Sequence, residues 1–415
     1  METSLSRRGL NALNFFIAAV QAGFGPFIAV WLTQRNWTQT DVGLALSIGS
    51  GVALLGHLPG GWAVDLVHHK RPIMTAALLA MAAAALLVAF LPLPVPVWAA
   101  ETLNALGACI ATPAIAAITL RLCGHAVYSR RLGVNARYAS LGAASAAAVL
   151  GLSAWYISQR AVFLATGALV APALVALFTI RRDDQAESED HHALLHPREL
   201  RRRAIRARHI FREPALHAFA ICAVLFNLSN AAMLPLAVNE LAKRGPSAGL
   251  VVSAAVIVPQ IIVAALSPWV GSMAQLLGRR PVLLFGFAAL PLRGLMFAAL
   301  VWTGPMALPL VAIQVLDGVS ATVFGLSLPL VAADTTRRRG FMNLAIGSLG
   351  LAAGLGATAS TMLAGFVADW AGAPAAFVGL AAIGALAWLA VLLAMPETRP
   401  EHPRHGGAQA AAAAV

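Results

Sequence analysis

The stretch Gly61-Trp62-Ala63-Val64-Asp65-Leu66-Val67-His68-His69-Lys70-Arg71-Pro72 joins two long apolar runs. It has a second copy, Gly271-Ser272-Met273-Ala274-Gln275-Leu276-Leu277-Gly278-Arg279-Arg280-Pro281. The opening glycines stand 210 residues apart, about half of the 415-residue chain. A basic loop repeated at half length, each time between apolar segments, marks a duplicated half-protein.

Composition names the solvent of these halves. The chain is 59% apolar and only 11% charged, where a soluble domain carries roughly 25% charged residues. Mean hydropathy is +0.77. So few charges cannot cover a water-facing surface, so most of the surface faces lipid. Parallel halves in such a chain are how many secondary transporters are built. Cys109, Cys123 and Cys222 have no metal-ligand spacing and read as small buried apolar residues. Arg7 and Arg8 precede an apolar stretch too long for the core of a cleavable leader, so that stretch is expected to stay as the first span.

Twelve apolar segments of helical length can be marked. They lie near 10–32, 41–64, 72–92, 97–120, 136–157 and 161–180, then 214–238, 247–274, 281–302, 306–332, 342–368 and 373–395. The implied units are a first six-helix bundle (1–180), a linker (181–213), a second bundle (214–397) and a disordered tail (398–415). Gly142, Gly151, Gly347, Gly350, Gly354 and Gly356 would let helices five and eleven approach their neighbours closely. Alternating the spans from an inside N-terminus puts 24 of the 29 Lys and Arg residues on the cytoplasmic side. Four lie opposite (Arg35, Arg160, Lys243, Arg244), and Arg293 alone lies inside a span. Both termini are therefore expected in the cytoplasm. The net charge of +12 is a topology signal and not a nucleic-acid surface. Between 181 and 213 an acidic start gives way to Arg198-Glu-Leu-Arg201-Arg202-Arg203, which reads as a basic amphipathic helix on anionic lipid. His191, His192 and His196 there read as a solvated linker and not as a metal site.

Two six-helix halves, a cytoplasmic linker and this loop between helices two and three resemble the major facilitator superfamily over nearly the whole chain. Gly61, Asp65, Lys70 and Arg71 match the loop's family pattern, as do Gly271, Gly278, Arg279 and Arg280 in the second copy, where Gln275 replaces the aspartate. Leu66 and His68 depart from the usual basic residue and glycine. Pro396-Glu397-Thr398-Arg399 is similar to a common family ending. The Gly-Pro pair of antiporters is missing from helix five, where Gly142 to Gly151 is alanine-rich, and Glu101 stands where an arginine is frequent. The resemblance implies alternating access. It also implies that Asp65 gates the cytoplasmic side by meeting a basic residue at the end of helix four, for which Arg121 is placed. An aspartate at a helix end can equally accept from helix N-termini.

Polar groups inside the spans are the candidates for chemistry. Asn14 and Gln21 lie seven apart in helix one, before Gly25-Pro26. Asn227 and Asn230 lie three apart in helix seven, before Pro235. Gln21 and Asn230 match across the halves and are candidate substrate contacts near the midplane, with interhelical glue as the plainer role. Arg293 and Asp317 reach equal depth on neighbouring helices, about 20 Å from the cytoplasmic face. A lone charge there is costly, so a pair is expected: either static, or switching as Asp317 takes a proton and frees Arg293 for an anionic substrate. Glu101, nearer the outer face, is a second proton site, a cation contact, or a carboxylate reaching for the interface. His57 reads as structural.

No phosphate-binding loop, dinucleotide fingerprint, zinc motif or catalytic triad can be placed, so no enzyme activity, cofactor or metal is expected. The 27 Arg to 2 Lys point to a GC-rich bacterium and its inner membrane. The reading is a monomeric all-α membrane protein that exports a small organic molecule with proton coupling. The alternatives are uptake of an organic anion through Arg293, and a receptor or lipid-handling protein on the same fold.

Overall fold

The computed structural model describes residues 4–67, 69–180, 207, 210–242, 248–304, 307–337 and 340–399. The expected amphipathic helix in 181–213 and most of the expected tail lie outside these residues. Those described form helices and no strand: α1 (Ser4–Ala22), α2 (Gly25–Gln34), α3 (Gln39–Leu66), α4 (Lys70–Phe90), α5 (Pro94–Tyr156), α6 (Gln159–Ala168), α7 (Val170–Thr179), α8 (Pro214–Asn230), α9 (Met233–Ala242), α10 (Ala248–Leu276), α11 (Arg279–Thr303), α12 (Ala307–Thr336), α13 (Met342–Ala371) and α14 (Ala373–Ala394).

Among the described residues, eleven stretches are long and apolar enough to cross a bilayer. One of them, α5, has 63 residues. It would extend about 95 Å if straight, three times a hydrocarbon core of about 30 Å. It is two helices fused at Gly124, whose backbone turns out of the helical region (φ 68°, ψ 172°). Twelve spans in two six-helix bundles result. The expected loop between helices four and five shrinks to this one glycine. The polar stretch 125–135 stays helical because it is packed: Tyr128, Leu132 and Asn135 are buried, and Asn135 donates to Thr119 Oγ1 at 2.8 Å.

Spans one and seven are each two helices. The first breaks at Gly23-Phe24 and the seventh at Ala231-Ala232, just ahead of Pro26 and Pro235. Proline lacks an N–H and disfavours helical geometry in the residue before it, so both breaks follow from the sequence. Such interrupted helices at matching places are where transporters of this build handle their ligands.

The bundles meet along two seams, α3 against α13 and α5 against α10. Glycines set both at backbone contact. A methyl group on Gly61 would overlap the carbonyl oxygen of Asn343, one on Gly347 would overlap that of His57, and one on Gly133 that of Ser267. On Gly271 it would sit 2.6 Å from the Ser129 oxygen. These contacts cluster toward the end that carries the basic loops. The largest apolar core also crosses between bundles there, joining Ala116, Tyr128 and Leu132 to Val270, Leu283 and Leu344. Toward the other end, Gly43, Gly51, Gly151 and Gly365 meet nothing within 4 Å. The contacts between the bundles are tightest on the basic face, opposite this end. Trp155, Trp302 and Trp370 stand exposed at helix ends on that opposite side, as a membrane-interface belt requires.

Candidate functional site

On the basic face a carboxylate of one bundle meets a helix end of the other. α13 begins after Phe341, a left-handed residue (φ 64°) with no side-chain cap of its own. Its first N–H groups would be orphaned. Asp65, at the end of α3 in the other bundle, supplies the cap. Oδ2 accepts from the Leu344 N–H at 2.7 Å, and Oδ1 accepts from the Asn343 side chain at 2.7 Å and its N–H at 3.3 Å. The negative charge also faces the positive end of the helix dipole. Trp62 stacks on Phe341 beside it, with centroids 5.7 Å apart. The expected meeting with Arg121 is replaced by this cap. Arg121 lies exposed at the end of the first part of α5, and Asp65 takes its hydrogen bonds from α13.

Lys70 is buried and donates to the carbonyls of Val64 and Val67, closing the C-terminal end of α3. Arg71 follows it, half-buried in the first turn of α4. Arg279 does the work of Lys70 in the second copy, donating to the Ala274 carbonyl, and adds a buried ion pair with Asp334 at 2.9 Å. Gly278 takes φ 105°, a conformation that favours glycine. Glu397 caps the start of α11, accepting from the N–H groups of Arg279 (2.8 Å) and Arg280 (3.1 Å). Arg280 donates onward to the Leu392 carbonyl. The Pro396–Arg399 ending therefore fastens the second loop within its own bundle. Gln275, in the place of Asp65, donates to the Ala126 carbonyl at 2.6 Å across the other seam.

Deep in the second bundle the two lone charges meet. Arg293 on α11 is 1% exposed. Its Nη1 donates to Asp317 Oδ1 at 2.7 Å and to Asn230 Oδ1, and its Nη2 donates to Gln314 Oε1 at 2.7 Å. Asn230 also donates to Asp317 at 3.2 Å, and Gln314 donates to the Ala255 carbonyl at 3.0 Å. Phe297 lies beneath the guanidinium, 5.5 Å from ring centroid to Cζ. Three spans thus converge on one arginine, with Asn230 placed at the helix break of span seven. Asp317 keeps an opening, its side chain 19% exposed, and Asn230 beside it is also only partly buried.

The remaining candidates stand apart. Asn14 is buried and donates to the Leu10 carbonyl at 2.8 Å, and Asn227 donates to Ala223 at 2.9 Å, so each satisfies its own helix. Gln21 is exposed in the last turn of α1, at the break. Glu101 is 7% exposed, its carboxylate lying against Gly49 of α3; it is held inside and does not reach the interface. His57 sits in the α3–α13 seam with its ring on Gly350 and its Nδ1 bonded to the Ala53 carbonyl, a structural role.

Sequence reading missed Gln314, Asn343, Asp334 and Glu397 as site members. Gln314 carried a signal, being the polar residue one turn before Asp317. Asn343 could have been flagged as the polar residue in the first turn of an uncapped helix.

The Major Facilitator Superfamily profile matches residues 10–258 and 218–415. Two Mycobacterium tuberculosis proteins, from strains CDC 1551 / Oshkosh and ATCC 25618 / H37Rv, are each described as an uncharacterized MFS-type transporter. Each is 32% identical over 400 residues, covering 94% of this chain and 93% of its own length. Among solved structures, the proton:xylose symporter XylE bound to 6-bromo-6-deoxy-D-glucose superposes with a TM-score of 0.74 at 12% identity, covering 95% of this chain and 96% of its own. The E. coli fucose:proton symporter FucP superposes with a TM-score of 0.68 at 15% identity, covering 92% and 97%, and it includes an outward conformation. At these identities the structural likeness concerns the fold.

Proposed function

Since the chain belongs to the major facilitator superfamily and is a multi-pass transporter, we propose that it exports a small organic molecule by alternating access driven by protons, with Asp317 as the coupling group. The observation that carries this is the asymmetry of the Arg293 network. Arg293 and Gln314 are fully enclosed, while the Asp317 side chain keeps an opening, with Asn230 partly buried beside it. Ionised, Asp317 holds Arg293 against Asn230 and Gln314. Protonated, it loses the charge that binds the guanidinium, and the junction of α8, α11 and α12 loosens. A buried arginine–carboxylate pair that can be released by one proton is a two-state element, which alternating access requires.

The basic face is assigned to the cytoplasm by the Lys and Arg asymmetry. The opposite face is then external, and the Asp65 cap is the inner gate. A bacterial inner membrane fits the composition and the mycobacterial relatives. The chain works as a monomer surrounded by lipid. Proton coupling is in keeping with the symporters that share the fold. Uptake of an organic anion through Arg293 is the weaker reading, because Asp317, Asn230 and Gln314 already occupy that guanidinium. The test is solute flux in proteoliposomes under an imposed pH gradient. Asp317→Asn is expected to abolish gradient-driven flux while leaving solute binding measurable. Full gradient-driven flux in that variant overturns the coupling role.

A further inference from the structure

Glu101 has a partner position in the other half, and the comparison says what it lacks. The packing of span three on span four recurs as that of span nine on span ten: Gly107 lies against Ala77 as Gly286 lies against Val323. Ala77 and Gly286 are 209 residues apart, the same separation as Lys70 and Arg279, which begin α4 and α11. Gly107 and Val323 are 216 apart, as are Pro113 and Pro329, and Arg121 and Arg337. The same 216 sets Glu101 on Asp317. The two carboxylates are mates in the pseudo-symmetric bundles.

Their surroundings differ in charge: Asn230 also donates to Asp317, but among the described residues the one cation there is Arg293. Asp317 is met by Arg293. The position 209 before Arg293 is Ala84, fully buried and unable to pair with anything. Glu101 is more than nine-tenths buried, and among the described residues it takes no hydrogen bond and no ion pair. A carboxylate enclosed in this way is costly unless something neutralises it. It lies seven residues into α5, about 10 Å from the end opposite the basic loops. On the export reading that is the end through which solute leaves.

We infer that Glu101 is the anchor for a cationic nitrogen group of the transported molecule, a guanidinium, amidinium or primary ammonium, which does for Glu101 what Arg293 does for Asp317. The second bundle carries its cation covalently, and the first receives one with each substrate. This rests on the export reading above, and it names the substrate class as organic cations. It also gives the two acids separate duties, coupling at Asp317 and recognition at Glu101.

The experiment is a thermal-shift titration of the purified full-length protein in detergent at neutral pH. The probes are benzamidine, phenylguanidine and agmatine, with benzamide and phenylurea as neutral isosteres. The expected result is a saturable rise in melting temperature with the three cations and none with the isosteres. Glu101→Gln should weaken the apparent affinity at least tenfold, and Glu101→Asp should keep most of it. An equal shift with a neutral isostere overturns the assignment, as does undiminished cation binding by Glu101→Gln, or the absence of any shift at millimolar cation. If Glu101→Gln does not fold, the charge-against-isostere comparison on the unaltered protein decides alone. Binding is read without a pH gradient, so the assignment can fail while coupling at Asp317 stands, and the reverse.

Discussion

The two copies of the basic loop share a backbone plan and divide its work. In the first, the acid faces outward from its bundle: Asp65 caps α13 of the other half. In the second, the acids face inward. Glu397 caps α11 and Asp334 holds Arg279, all within the second bundle, while Gln275 makes a neutral bond to Ala126 across the seam. Lys70 and Arg279 keep one shared duty, closing the helix before them. On the proposed gating role, the first loop is a latch between halves and the second a rivet within one. A charged acceptor on a helix end is released by a modest rearrangement, whereas the buried Arg279–Asp334 pair is not. The first seam is thus suited to open and close, and the second loop to stay put.

The largest effect should come from the tightest point of the latch. Gly61 meets the backbone of Asn343, which cannot swing aside as a side chain can. Gly61→Val should prevent closure of the α3–α13 seam and reduce transport at least tenfold, with little change in the melting temperature of either bundle. Spin labels on the basic-face ends of α3 and α13 would report a distance distribution shifted to longer values. An unchanged distribution breaks the claim that this contact sets the closed state.

Next is the acid itself. Asp65→Asn keeps the shape and removes the charge. A carboxylate cap with dipole alignment contributes roughly 1–2 kcal/mol, so the closed population should fall about tenfold relative to the open one. The same labels measure it. Glu397→Gln removes a comparable acceptor from α11 but should leave that distribution alone. Its effect should appear as a lower melting temperature. If both substitutions shift the conformational equilibrium alike, the division between latch and rivet is wrong.

Much of this was legible in the residues. The repeat, the twelve spans and the broken helices follow from periodicity and proline chemistry. The Arg293–Asp317 pair was legible for an energetic reason: two charges at equal depth in lipid each need a partner, and each has one candidate. That Asp65 could cap a helix was legible, but not that the helix is α13, because backbone N–H groups leave no mark in a sequence, and Gly340-Phe341 carries none of the usual capping residues. Arg121 drew attention because it is a charge, yet an uncapped helix end competes for the same carboxylate. The loop at 121–135 read as polar and therefore irregular. Burial of Tyr128 and Leu132 in a core shared with the second bundle keeps it helical, a tertiary effect no local pattern displays.

The smallest effect, and the sharpest use of the comparison, is to restore the missing acid. Gln275 sits opposite the first turn of the second part of α5, as Asp65 sits opposite the first turn of α13. Gln275→Asp would bring a carboxylate to a helix N-terminus that now receives an amide. The dipole term for an exposed site is typically 0.3–1 kcal/mol, and the lost bond to Ala126 offsets part of it. The expected outcome is a closed state favoured by no more than about fivefold, with slower turnover and unchanged substrate affinity. High salt should cancel it, since the site is exposed to solvent. Combined with Asp65→Asn, the variant would carry its latch on the other seam. Partial recovery of the closed population there would show that the two seams are interchangeable in geometry and differ only in charge. No recovery would mean that α13, with its left-handed Phe341 and stacked Trp62, is shaped for the latch in a way the other seam is not.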